Sequence, residues 1–322
     1  MGVEIEFGGI DAPRAARCLA EALSGSLTEI SGQEFEVESD LGTFRIELDA
    51  RWAHPHFVRS KLTDLPEPWR EGLDVAIADV AGAIAGIVMP VEVVAPPLPW
   101  DHLDGLDPVC RALADAGALG TRHSAFSGFG MHLNIEAPSL AVDDLLAILR
   151  AYVILSPWLR RESGLATIRQ VQSYIDPFPL AYARHILAPD YRPGMERLIR
   201  DHVAHNPSRN YELDMLPIFA AIDADLVHAL MPEEKNAARP TYHWRLPDCR
   251  IDQPGWSPRL DWARWVAVED LAADPELLAI EAVRFLEDGP QTELEARLAR
   301  LRDGVFSPKG DGRKGDGRKG DM

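Results

Sequence analysis

The sequence predicts an α+β protein in which alternating strands share one sheet and helices cover its rear. Three stretches carry that expectation. Val3-Glu4-Ile5-Glu6-Phe7, Met131-His132-Leu133-Asn134-Ile135 and Tyr242-His243-Trp244-Arg245-Leu246 each place polar side chains on alternate positions of an apolar run. A period of two is the strand signature, with one face apolar and the other polar. A fourth run, Val91-Glu92-Val93, adds a lone carboxylate. If the four share one sheet, Glu4, Glu6, Glu92, His132, Asn134, His243 and Arg245 line a single face. Carboxylates crowded together repel one another unless a cation sits among them, so the pattern points to a divalent-metal site, with Arg245 left to hold an anion such as phosphate. The competing reading is a solvated sheet face, which is commonly polar. Such a face usually mixes Thr, Lys, Ser and Gln, whereas these strands offer almost only metal-ligand types and one arginine.

The elements follow in order. The first strand ends near Gly8-Gly9, and Asp11-Ala12-Pro13 opens a helix to about Leu23, an N-cap followed by an early proline, which Gly25 closes. A hairpin comes next, with Phe35 and Val37 alternating with Glu34, Glu36 and Glu38, a turn at Asp40-Leu41-Gly42, and Phe44, Ile46 and Leu48 alternating with Arg45, Glu47 and Asp49. Glu47 and Asp49 either join the ligand set or belong to a solvated cross-strand face. Residues 52–69 read as loop, and 75–89 as an Ala/Gly-rich core helix leading into the Glu92 strand, which Pro96-Pro97 ends. A helix from about Pro108 to Ala118 and the glycine-rich Ser127-Gly128-Phe129-Gly130 deliver the His132 strand. Apolar residues recur at helical spacing over 142–161 and 211–230, and again over 260–301 with Trp262 and Trp265 as packing anchors. Between the first two of these helices, Arg197, Arg200 and Arg209 gather near His202, His205 and Asn206, either as an anion-handling loop or as surface arginines on a helix. One catalytic domain over 1–305 is expected, its C-terminal helical part at about 258–303, followed by a disordered low-complexity tail over 306–322.

Composition excludes several classes. With 322 residues and 46% hydrophobic content the chain can bury a large core. The net charge is -18 and the tail carries five basic and three acidic residues, so the body holds about -20. A body of that charge repels nucleic-acid backbones and anionic membranes, and neither is an expected partner. Cys18, Cys110 and Cys249 are odd in number and far apart, which argues against a disulfide framework or zinc ribbon and fits a cytoplasmic protein. The segment 75–89 is interrupted by Asp79 and is too short to span a bilayer, and no export signal opens the chain. A P-loop and a Rossmann glycine fingerprint are also lacking.

The runs Gly2-Val3-Glu4-Ile5-Glu6-Phe7, Val91-Glu92-Val93-Val94-Ala95-Pro96-Pro97, Gly128-Phe129-Gly130-Met131-His132-Leu133-Asn134 and His243-Trp244-Arg245-Leu246-Pro247-Asp248 occur in the order seen in the amidoligases. The chain resembles that family, part of the carboxylate–amine ligase superfamily with glutamine synthetase and glutamate–cysteine ligase, from Gly2 to roughly Asp248. The resemblance implies a curved, mainly antiparallel sheet of glutamine-synthetase-like catalytic type, helices on its outer face, and binding of ATP with Mg²⁺ or Mn²⁺. It implies metal ligation by Glu4, Glu6 and Glu92, a place for His132 beside the metals and the nucleotide phosphates, and stabilisation of the transferring phosphoryl group by Arg245. Asn134 and Arg209 join the expected nucleotide contacts. The family's last strand commonly has Glu two residues before the arginine, where this chain has His243. Imidazole ligates Mn²⁺ or Zn²⁺ but serves Mg²⁺ poorly. A second departure is Asn134, where glutamine synthetases carry another His.

The chemistry implied is ATP-dependent formation of an amide or peptide-like bond between a carboxylate and an amine through an acyl phosphate, on small-molecule or peptide substrates, with a homo-oligomer compatible with the sequence. Glu47 or Asp49 is the candidate base for the ammonium proton. The rivals are a guanidino phosphotransferase of the same superfamily, a non-catalytic nucleotide- and metal-binding homologue, and a metal-dependent hydrolase using His132 and His243.

Overall fold

The computed structural model of the protein describes residues 1–48, 90–121, 130–163, 175–234 and 237–290. Its centre is an eight-stranded sheet of β1 (Gly2–Phe7), β2 (Ser26–Ser31), β3 (Glu34–Ser39), β4 (Gly42–Leu48), β5 (Val91–Val94), β6 (Met131–Glu136), β7 (Leu213–Asp214) and β8 (Thr241–Trp244). The spatial order is β2-β3-β4-β5-β1-β6-β8-β7, and every neighbouring pair is antiparallel. The expected α+β class and the sharing of one sheet by the four site strands are both seen.

Alternation decides which face is buried. Val3, Ile5 and Phe7 of β1, Val91 and Val93 of β5, Met131 and Leu133 of β6, and Tyr242 and Trp244 of β8 are all essentially inaccessible to solvent. Two helices seal this apolar face beside β8. Tyr152, on α3 (Val142–Glu162), accepts a hydrogen bond from the Trp244 indole N–H at 3.0 Å, so its buried hydroxyl is satisfied. Trp265, on α8 (Pro258–Ala272), lies with its ring centroid 5.6 Å from that of Trp244 and 5.5 Å from that of Tyr242, as expected of a packing anchor. Trp262 is only partly buried. α9 (Pro275–Asp288) packs on α3 and α8, and the part of the expected 260–301 helical region beyond residue 290 lies outside the described residues.

At the other end of the sheet, α1 (Ala12–Leu23) packs on β3 and β4 and against α2 (Asp107–Asp115). Asp11 caps α1 by accepting the Arg14 N–H at 2.8 Å, and Ala12, Ala15, Ala16 and Leu19 form its buried stripe at helical spacing. Ser24, at φ 50, takes the left-handed cap conformation that Gly25 was expected to supply. Glycine is needed at 25 for another reason: a Cβ there would lie 2.5 Å from the Glu38 carbonyl oxygen. Gly42, at φ +114, follows the two-residue turn between β3 and β4 and sits against Pro96 of the double proline.

Two differences from the sequence expectation stand out. β2 is exposed along its whole length, so neither face carries an apolar pattern to announce it. The helix expected over 211–230 is divided into β7, α6 (Leu216–Ile222) and α7 (Ala224–Leu230). Leu213 and Asp214 pair with β8, and Asp223, whose backbone is not helical, breaks the helix and caps α7 by accepting the Leu226 N–H. α4 (Leu180–Leu187) and α5 (Met195–His205) complete the helical layer. The proposed 52–69 loop, the 75–89 helix and the 306–322 tail lie outside the described residues. No helix among the described residues is long and apolar enough to cross a membrane.

Candidate metal centre

The site is assembled by register. In an antiparallel pair, directly opposed residues project from the same face. Glu4 opposes His132, Glu6 opposes Glu92, and Asn134 opposes His243. The polar positions of β5, β1, β6 and β8, adjacent strands inside the sheet, therefore converge on one face. Glu6, Glu92, His132, Asn134 and His243 are all at least nine-tenths buried.

A chain of hydrogen bonds orders this face. His132 donates from Nδ1 to Glu4 Oε2 at 3.0 Å, and the Asn134 amide N–H donates to Glu4 Oε1 at 2.8 Å. With the Asn134 amide so oriented, its Oδ1 accepts from His243 Nδ1 at 2.8 Å. That relay places the His243 proton on Nδ1 and leaves Nε2 with a lone pair for an ion. Burial opposes a charge on Glu4, but the hydrogen bond and field of His132, the field of His243 and the Asn134 hydrogen bond together hold its carboxyl far below the ordinary carboxylate range. Burial, with repulsion from His132, Arg245 and Arg209, holds His243 well below the usual imidazole range against the pull of Glu4, so it is neutral. An ionised carboxylate beside a neutral imidazole is the protonation state that metal ligation requires.

Among the described residues, two donor sets satisfy the spacing for a cation. Glu4, His132 and His243 form one, and Glu6, Glu92 and His132 the other, each with ligand atoms within 4.8 Å of one another. His132 belongs to both: its Nδ1–H is held by Glu4 Oε2, and Nε2, the ring nitrogen left with a lone pair, stands 3.9 Å from Glu6 Oε1, beyond hydrogen-bond range. The other Glu6 oxygen, Oε2, accepts the Gly130 N–H at 3.0 Å, which fixes the carboxylate with Oε1 toward His132. These residues fit a divalent ion, and their imidazole content favours Mn²⁺ over Mg²⁺.

The remaining expected site residues are placed around this core. Arg245 continues the polar row of β8 beyond His243, and its guanidinium donates to the Arg209 carbonyl oxygen at 2.7 Å. Arg209 itself pairs with Asp214 at 3.0 Å. Arg197 and Arg200 instead form ion pairs along α5 with Asp201 and Glu196, so the arginine-rich stretch divides, with only Arg209 brought to Arg245. Glu47 opposes Glu92 across β4 and β5 and lies 3.6 Å from the Arg45 guanidinium, on the sheet face but at its more exposed margin. Asp49 lies outside the described residues.

Sequence reasoning missed two participants. Asp214 is buried, opposes His243 on β7, and spends its second oxygen on the Leu216 N–H at 2.9 Å. Its surroundings read as helix, which hid the pairing. Arg239, just before β8, brings Nη1 to 3.9 Å from Glu4 Oε1. A lone arginine before a proline gives no sequence signal. A groove of about 1310 Å³, lined by Trp100, Pro97, Asp104, Glu136, Leu260 and Trp262 among others, contains none of the metal-ligand residues. Donor chemistry rather than groove size identifies the candidate centre.

The chain has no significant match among curated proteins or among solved structures. A family model described as "putative amidoligase enzyme" matches residues 1–267, from β1 into α8, and thus includes every strand of the sheet. A match of that extent, over the strands that build the carboxylate–imidazole face, shows that the chain belongs to the amidoligase family.

Proposed function

We propose that this protein is an ATP- and divalent-metal-dependent carboxylate–amine ligase of glutamine-synthetase-like catalytic type. The observation that carries the reading is the pair of overlapping Glu/His donor sets that share His132 on the concentrated polar face of an open antiparallel sheet, in a member of the amidoligase family. A carboxylate is a poor acylating agent because oxide is its leaving group. A carboxylate oxygen therefore bonds the γ-phosphorus of ATP, the bond from that phosphorus to the bridging oxygen breaks, and ADP leaves. The amine nitrogen then attacks the acyl carbon, phosphate departs, and the nitrogen gives up a proton.

Glu4, Glu6, Glu92, His132 and His243 would hold the divalent ions. Those ions, when bound, neutralise charge on the phosphates. Arg245, steadied by the Arg209 backbone, contributes a planar fork of donors to the phosphoryl group in flight. Asn134 keeps Glu4 and His243 in register and keeps the His243 Nε2 lone pair free. Glu47, at the margin of the face, is the described carboxylate placed to draw in an ammonium ion and take its proton.

Phosphate release by the full chain, with ATP and Mn²⁺ and mixed amines and carboxylates, tests this. Release is expected only when both an amine and a carboxylate are present. Phosphoryl transfer to a guanidino acceptor without any carboxylate, or hydrolysis that ignores ATP, would refute it.

A further inference from the structure

Two arginines bracket the donor cluster along β8, and only one of them has a role so far. Thr241, His243 and Arg245 occupy alternate positions on the polar side, and Arg239 lies two residues before Thr241. Arg245 and Arg239 are thus separated by six residues, roughly 20 Å of extended chain, with His243 between them.

Arg239 is not needed where it is to satisfy Glu4. Both Glu4 oxygens already accept short hydrogen bonds, Oε1 from Asn134 at 2.8 Å and Oε2 from His132 at 3.0 Å. The Arg239 guanidinium stands 3.9 Å away with its side chain 43% exposed, a loose pair that contributes little. Its Nε is nevertheless shielded from solvent and has no hydrogen-bond partner among the described residues, and the same is true of the hydroxyl oxygen of Thr241, two residues on. The backbone beneath is fixed: the Arg239 N–H donates to the Pro217 carbonyl at 3.0 Å, and the Pro240 carbonyl accepts from Ala137 at 2.9 Å. The guanidinium of this side chain, 43% exposed at the margin of the metal cluster, can receive an oxyanion in bidentate fashion on its two terminal nitrogens.

We propose that Arg239, assisted by Thr241, docks the carboxylate of the substrate that is to be activated, while Arg245 serves the phosphoryl group. This rests on the ligase reading for its assignment of ends. In-line transfer sets the attacking and leaving oxygens on opposite sides of the phosphorus, so a carboxylate held from the Arg239 side of the donor cluster can face a phosphoryl group held from the Arg245 side. With the phosphoryl group at Arg245, the carboxylate belongs at Arg239.

Calorimetric titration of the full chain in Mn²⁺, with glutarate as the carboxylate probe and inorganic phosphate as the second probe, tests the assignment. Arg239→Gln is expected to weaken glutarate at least about tenfold, the loss of a charge-assisted bidentate contact, and to leave phosphate within about twofold. Arg239→Lys, which keeps the charge beside Glu4 but loses the fork, is expected to lose most of the same affinity, with Mn²⁺ binding unchanged in both variants. Weakened phosphate with intact glutarate would place the phosphoryl group at Arg239 and overturn the proposal. So would unchanged glutarate binding in either variant, or no glutarate binding by the wild type. Failure of the ligase reading is separately visible: glutarate binding that depends on Arg239, in a protein with no amine- and carboxylate-dependent phosphate release, keeps the subsite and removes the reaction.

Discussion

Replacing Glu6 by Gln should make the metal-free protein more stable and the metal-treated protein less responsive, two changes of opposite sign from one atom. Glu6 and Glu92 are both at least nine-tenths buried, and their ligand atoms lie within 4.8 Å of each other. With both ionised, at an effective dielectric constant of about 20, two unit charges at that separation repel by about 3 kcal/mol. Gln retains an oxygen to accept the Gly130 N–H, so the local backbone keeps its anchor. Removing the charge relieves that repulsion while this anchor is kept, and the variant in chelator should unfold several degrees above wild type. A divalent ion at about a thousand times its dissociation constant stabilises the wild type by about 4 kcal/mol, and most of that gain should vanish in Glu6→Gln. Thermal unfolding in EDTA and in excess Mn²⁺, with calorimetry for the ion itself, measures both. A variant that is less stable in chelator yet keeps its full metal-induced gain would show that the carboxylate is a structural member of a polar cluster.

Further outcomes follow from other residues. Arg245→Lys should lower kcat by roughly tenfold or more while ATP affinity stays within about threefold, because the planar fork matters most to the group in flight; equal losses in steady-state kinetics would contradict this. His243→Glu should move the Mg²⁺/Mn²⁺ preference toward Mg²⁺ by supplying a hard oxygen ligand, and identical titrations in the two proteins would exclude His243 from the ion. His202, fully buried, with its Nδ1 accepting from the Tyr182 hydroxyl at 2.8 Å, is pushed down to about 3 by burial and then by His205. The unfolded chain binds a proton there below about 6.5 and the folded chain does not until about 3, so stability falls as pH drops through that window, by about 3 kcal/mol at pH 4.5. Urea unfolding should show this acid loss in wild type and not in His202→Gln, which keeps an acceptor for Tyr182.

The site strands were legible because each has one buried face, and burial forces alternation. Val3, Ile5 and Phe7 announce β1 and thereby fix Glu4 and Glu6 on the opposite side. β2 offered no such contrast, since solvent surrounds both of its faces. The segment 211–230 misled for the opposite reason: Leu213, Met215, Leu216, Ile218 and Phe219 are all buried, so apolar spacing alone could not distinguish a strand followed by a short helix from one long helix. Arg197 and Arg200 resembled anion contacts, but each had an acidic partner one helical turn away. Arg239 and Asp214 escaped because their roles come from register and from a turn, neither of which a local window contains. Asn134 was read as a nucleotide contact, and its bridging between Glu4 and His243 depended on knowing which residue opposed it.

The sheet order also dictates when the centre can exist. β2, β3 and β4 are neighbours in sequence and in space, so this meander closes short loops and is expected to form early. β1 precedes all of them, yet its partners are β5 and β6, and the last ligand strand, β8, arrives only at residue 241. The carboxylates of Glu4 and Glu6 therefore leave the ribosome first and acquire their imidazoles last. Assembly of the donor set reports that β1, β5, β6 and β8 have come together, and a chain cut short before Thr241 carries Glu4, Glu6, Glu92 and His132 without His243.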